Sequence, residues 1–210
     1  MRGTVSIYRK VGTAGNAYFA GNGAIVSSNG IVVTDKSNVT LAGNYIVIQN
    51  GNEFPVNAII SKDGTNLSYL NTGAGTGGAV IGKPVVFAPE GTVALGLELI
   101  MLQGSNPISV YQGIIQAIRK SADTAMAAGA TNPTIADIVA SFDSKITPPT
   151  SLIFNMKGEF VGMKTADTSF QALNLFVPAS IVRASIPTFQ PTPPTAAVPS
   201  TISAAAPETN

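Results

Sequence analysis

The chain has 210 residues, 45% of them hydrophobic, which is enough apolar material for one substantial core or two small ones packed together. Its 12 basic and 11 acidic residues leave a net charge of +1 with no basic block, so the electrostatic footprint that nucleic-acid binding requires is missing. With neither cysteine nor histidine, the sequence excludes disulfides, thiolate metal sites and all His-based acid–base or zinc chemistry together.

Only 11% of residues are charged, while 21 glycines and 14 prolines supply turns, a profile of a β-rich domain. The opening MRGTVSIYRK has no apolar signal-peptide region, and no apolar run approaches the roughly 20 residues of a membrane-spanning helix. From about residue 3 to 186, short apolar runs alternate with turn signals. Gly23–Val26 and Ile31–Thr34 flank Ser27-Ser28-Asn29-Gly30 and predict a hairpin, because Asn-Gly favours the positive φ angles of tight turns. Asn44–Gln49, the turn Asn50–Glu53 and a returning strand Glu53–Ser61 repeat the pattern. Leu67–Leu70, Pro84–Ala88, Leu97–Leu102, Tyr111–Ile118, Ser151–Asn155, Phe160–Thr165 and Ala172–Val177 are the further predicted strands. Ser121–Ala130 reads as a variable loop, and Ile135–Phe142 and Pro178–Ser185 as helices. Residues 187–210, rich in Pro, Ala, Ser and Thr, cannot bury a core and read as a disordered tail.

Taken in order, these segments resemble the protease domain of HtrA/Deg trypsin-like serine proteases over about residues 4–186. Gly21–Thr34 is similar to the hairpin that leads into the family's catalytic histidine, and Asn50–Pro55 to its DGREFP turn. Val110–Arg119 resembles the TVTSGIISALGR strand, Asn155–Met163 the hairpin after the nucleophile, and Leu175–Val182 the GFAIPSNMV strand and helix start. The resemblance implies an all-β fold of two six-stranded antiparallel barrels of the chymotrypsin/trypsin type, with a short C-terminal helix. It places the first barrel at 3–90 and the second at 91–186. Family members often carry a PDZ domain after the protease domain and form trimers, and residues 187–210 leave no room for that domain.

The same resemblance locates the catalytic positions. The general-base histidine is replaced by Ser37 in Thr34-Asp35-Lys36-Ser37, the triad aspartate by Asn66, and the nucleophile by Pro149 in Thr147-Pro148-Pro149-Thr150. Without imidazole no group takes a hydroxyl proton near neutral pH, and two prolines supply no N–H groups for an oxyanion hole. The expectation is a pseudoprotease, not an enzyme, that acts as a protein-binding or scaffold module outside the cytoplasm. No cofactor, metal or nucleic acid is expected; a protein or peptide partner is, and an oligomer is allowed. The other readings are a self-assembling cell-surface protein, and a hydrolase with a site lacking His.

Other motifs weigh less. Gly77–Lys83 fits part of a phosphate-binding loop, but Pro84 stands where a magnesium-binding hydroxyl belongs. Lys36-Ser37 are adjacent on a strand and point apart, so they make no dyad, and Ser151 has no histidine to activate it. Asp35, Asp63, Asp137 and Asp143 are scattered singly and read as turn or cap residues. Tyr8, Tyr18, Phe19, Tyr45 and Tyr69 form either a binding surface or ordinary core.

Overall fold

The computed structural model describes residues 3–12, 16–62, 64–73, 81–104, 108–120, 135–143, 150–166 and 174–189. Seven strands build the first sheet: β1 (Thr4–Val11), β2 (Asn16–Ile25), β3 (Ile31–Asp35), β4 (Tyr45–Gln49), β5 (Asn52–Pro55), β6 (Ala58–Lys62) and β7 (Leu67–Asn71). Their order is β5-β4-β1-β2-β3-β7-β6. The predicted returning strand is present but bent, and β5 and β6 are its two halves. At the bend the Val56 N–H donates to Tyr45 O (3.0 Å) and the next N–H, from Asn57, donates to Asn71 O (2.8 Å). One segment thus joins both ends of the sheet and rolls it into a barrel of six topological strands. β1 was absent from the predicted strands, although Val5 and Ile7 alternate inward along it.

The second sheet is a closed barrel of six strands: β8 (Glu98–Gln103), β9 (Ser109–Lys120), β10 (Ile135–Phe142), β11 (Leu152–Asn155), β12 (Phe160–Met163) and β13 (Leu175–Pro178). β10 corrects the predicted helix at Ile135–Phe142. Its ladder with β9 shifts register between Ile135 and Asp137, so the buried positions fall at Ile135, Ile138 and Ala140. A bulge that moves the inward phase by one residue imitates helical spacing. Pro84–Ala88 is likewise no ladder strand. It crosses between the barrels through Val85 N–H to Ile25 O (2.9 Å) and Ala88 N–H to Phe160 O (2.9 Å). Among the described residues a single short helix, α1 (Ala179–Ala184), follows β13, within the predicted Pro178–Ser185.

Each barrel has its own core, and a third cluster joins them. Ile25, Val32 and Leu70 fill the first barrel, while Ile153, Ile138 and Phe176 fill the second. Their strand neighbours Ala24, Val33 and Tyr69 meet Leu152, Phe154, Phe160 and Val182 between the barrels. Because successive side chains on a strand point to opposite faces, a strand buried on both faces reads as a continuous apolar run. That is why Ala24-Ile25-Val26 and Ile31-Val32-Val33 are unbroken. The proposed tail begins with contact: Phe189 packs, partly buried, against the joining cluster. Residues 190–210 and Ser121–Ala130 lie outside the described residues.

Candidate functional site

The end of β3 organises the region between the barrels. Thr34 is buried and donates its hydroxyl to Asn22 O (2.8 Å), while Asn38 Nδ2 donates to Thr34 Oγ1 (3.2 Å). Asp35, only 1% exposed, caps a short 3-10 turn over Lys36–Asn38. Its Oδ1 accepts the Ser37 N–H (2.7 Å) and also bonds the Ser37 hydroxyl. Its Oδ2 accepts the N–H of Ala166 (2.5 Å), which follows β12 in the second barrel. The cap was legible in the sequence. The bond across 131 residues was not, and it makes Asp35 a tie between the two barrels.

Ser37 and Asn66 come to one end of the β3–β7 ladder. Asp35 pairs with Leu67, and Asn66, held at φ 53°, accepts the Lys36 N–H through its carbonyl (2.8 Å). A cavity of about 130 Å³ borders Asn66 together with Thr65, Asp137, Thr165 and Ile181, well below the several hundred Å³ of a ligand pocket. Pro149 and Pro148 lie outside the described residues. Thr150, the next residue, is buried with φ 72°. Its N–H donates to Lys164 O and the Lys164 N–H donates to Ser151 O, both at 2.9 Å, so two residues face one. This is a G1-type bulge with a β-branched residue where glycine is usual. What Thr150 gains is a hydroxyl that accepts the Asn22 N–H (3.2 Å) from the first barrel. Gly21 lies beneath it, and a Cβ there would fall 2.5 Å from Asn38 Nδ2 and 3.0 Å from Thr150 Oγ1.

The bulge yields a prediction. Thr150→Val keeps the strained backbone and removes the acceptor of a buried N–H, so it is expected to lower stability by about 1–3 kcal/mol. Thr150→Ser keeps the acceptor with a less crowded Cβ and is expected to match the wild type in urea denaturation. Equal stability of Val and wild type would mean that the hydroxyl contributes nothing.

Ser151 is fully buried, and its Oγ donates to Gln103 Oε1 (3.4 Å). Lys164, on the facing strand, donates to Asn174 Oδ1 (3.0 Å), and burial lowers the pKa of its ammonium. A desolvated lysine near a serine has the residue types of a dyad, but a hydroxyl without solvent access meets no substrate carbonyl.

The remaining motifs resolve individually. Of the phosphate-loop motif, Gly77–Val80 lie outside the described residues, while Ile81 is buried in the first core and Gly82 N–H donates to Gln49 Oε1 (2.7 Å). Asp137 pairs with Arg119 across β9 and β10 (2.7 Å), Asp143 sits exposed on the bend after β10, and Asp63 lies outside the described residues. Tyr45 and Tyr69 are core, whereas Tyr8 and Phe19 form an edge-to-face pair at 5.7 Å beside exposed Tyr18. Among the described residues no group of three His, Cys, Asp or Glu could hold a metal ion, and no helix is long and apolar enough to cross a membrane.

No family model and no curated protein matches the chain. Solved structures do. The Rv3671c protease of M. tuberculosis in its active form superposes with a TM-score of 0.63 at 16% identity, over 91% of this chain and 84% of that one. The apo MamO protease domain of Magnetospirillum magneticum superposes with a TM-score of 0.63 at 20% identity, over 89% of this chain and 97% of that one. The likeness is one of fold: the chain has the trypsin-like double-barrel architecture.

Proposed function

We propose that this chain is a trypsin-like pseudoprotease that keeps the double barrel as a protein-binding or scaffold module outside the cytoplasm. The observation that carries the reading is at Ser37. Where the sequence resemblance puts the general base, a hydroxyl is bonded to Asp35 in a chain that has no histidine. The hydroxyl of Thr34 and the amide of Asn38, which bond each other beside this turn, take up no proton at neutral pH. Both oxygens of the Asp35 carboxylate are engaged by hydrogen-bond donors. The resemblance puts Asn66 at the aspartate position and Pro149 at the nucleophile position, which would remove the other two parts of a triad. A binding role is the use left to a retained fold whose chemistry is gone.

Incubation with unfolded, fluorescein-labelled casein tests both halves. The expected result is a rise in anisotropy with no shortening of the casein chain and no labelling by a fluorophosphonate. Ser37→His is expected to stay inactive, since it restores a base without a nucleophile. Fluorophosphonate labelling of any serine in the wild-type protein would overturn the reading in favour of a hydrolase with an unfamiliar site.

A further inference from the structure

We propose that the cleft between the outer face of β1 and the second barrel receives an extended polypeptide segment that carries a carboxylate. This rests on the binding role put forward above and gives that role a place. The cleft encloses about 910 Å³, in the size range of ligand sites, and neither Ser37 nor Asn66 lines it.

β1 builds one wall. Val5 and Ile7 turn into the first core, so Thr4, Ser6 and Tyr8 turn outward into the cleft. Ile48, opposite Ser6 on β4, continues this wall. Leu102 and Leu152, cross-strand partners in the second barrel, form the facing side, with Ile108 exposed beside them. Two side-chain amides hold the walls in place. Asn22 ties the barrels together through its N–H to Thr150 Oγ1 (3.2 Å) and its Nδ2 to Gly104 O (2.7 Å). Gln49 Oε1 accepts the Gly82 N–H (2.7 Å), which sets Lys83 beside the turn Asn50-Gly51. A site braced in this way loses little freedom when it is filled.

Charge and spacing select the occupant. Lys83 is the one charged residue of the lining; it is exposed and pairs with no acid among the described residues. The carboxylate that the register places next to this face, Glu53 opposite Ile48, is bonded to Lys10 (3.4 Å). The cleft therefore presents an uncompensated cation, and an anionic partner gains where a cationic one loses. The hydroxyls of Ser6 and Tyr8 have no hydrogen-bond partner among the described residues. With Thr4 they recur at every second residue of β1, roughly 6.5–7 Å apart. The same-side groups of an extended peptide laid along β1 recur at that distance, whereas a small carboxylate has one polar end and no repeat. Apolar side chains of such a peptide would cover Ile48 and Ile108.

Fluorescence anisotropy of the full chain at low salt, with circular dichroism as the check on folding, tests this. The ligand is a fluorescein-labelled, amidated hexapeptide of valine and threonine with a glutamate at each end. It is expected to bind, and its counterpart with a lysine at each end to bind about threefold more weakly or worse. Lys83→Glu is expected to reverse that order, and Ser6→Phe, which fills the cleft, to abolish binding of both peptides. The wild type gives an answer even if a variant fails to fold, because the glutamate peptide should shift the amide resonances of Ser6, Tyr8, Gly51 and Gly82. Shifts confined to residues outside the cleft overturn the proposal. So does equal affinity for the two peptides, and so does an order that folded Lys83→Glu leaves unchanged. Octanoate binding as tightly as the glutamate peptide makes this a site for a small carboxylate and overturns the peptide as its occupant. Casein bound by the wild type with neither hexapeptide bound overturns this proposal alone and leaves the binding role standing.

Discussion

Replacing Asp35 by alanine is expected to destabilise the fold by about 2–3 kcal/mol, the range for losing charge-assisted hydrogen bonds to a buried carboxylate. The carboxylate accepts from Ser37 and from Ala166, so its loss leaves main-chain N–H groups in both barrels without their acceptor. Water reaches part of the way, because Ser37 is exposed and Ala166 half-buried, and this keeps the figure below that of a sealed site. Asp35→Asn separates charge from shape. Its amide can accept on one side only, so whichever way it turns, an NH2 group meets an N–H donor, and the loss should be intermediate. Faster amide exchange at Ser37 and Ala166 together, with other core amides unchanged, would locate the effect at the tie. Both variants unfolding at the wild-type denaturant midpoint would show that the contact holds nothing.

This tie marks the limit of what the sequence discloses. Local signals served well. Asn50-Gly51 announced its turn, and the two residues take φ 51° and 81°, the pair of positive angles that a type I′ hairpin needs. The apolar runs on β2 and β3 announced burial on both faces. Local reading failed where phase or context changed: the bulge in β10 turned period two into an apparent helical spacing, and Pro84–Ala88 has strand composition but crosses between barrels. At the site, Ser37 and Asn66 were placed by resemblance, and the β3–β7 ladder brings their backbones to one end. Asp35 with Ala166, and Asn22 with Thr150, are 131 and 128 residues apart, and no periodicity connects them. Nor does anything in Pro-Pro-Thr-Ser announce that Thr150 would take a left-handed conformation, because the long-range hydroxyl bond that holds it there is not a local property.

A second large effect is expected at alkaline pH, from Tyr69. This phenol is fully buried between the barrels, where it donates to Val182 O (3.0 Å) and shares a hydrogen bond with Ser185 Oγ (2.6 Å), fastening β7 to α1. Burial raises its pKa from 10.0 to about 12, against a smaller lowering by the Ser185 hydrogen bond. Below pH 10 the phenol is protonated whether the chain is folded or not, and its contribution to stability is complete. Between pH 10 and 12 the unfolded chain gives up the proton while the folded chain keeps it, so stability falls by about 1.4 kcal/mol per pH unit, on the order of 2–3 kcal/mol in all. Tyr69→Phe removes both the hydrogen bonds and the titration. At pH 7 the variant should be the less stable by about 1 kcal/mol, the net worth of the lost bonds. As the pH rises, the wild type alone carries the extra loss, while the other tyrosines and the lysines act equally on both proteins. The two stability curves, measured by urea denaturation at stepped pH, should therefore cross between pH 10 and 12. Parallel curves through that interval would mean that the phenol ionises as readily in the folded protein as in the unfolded one, and that the space between the barrels at Tyr69 is open to water.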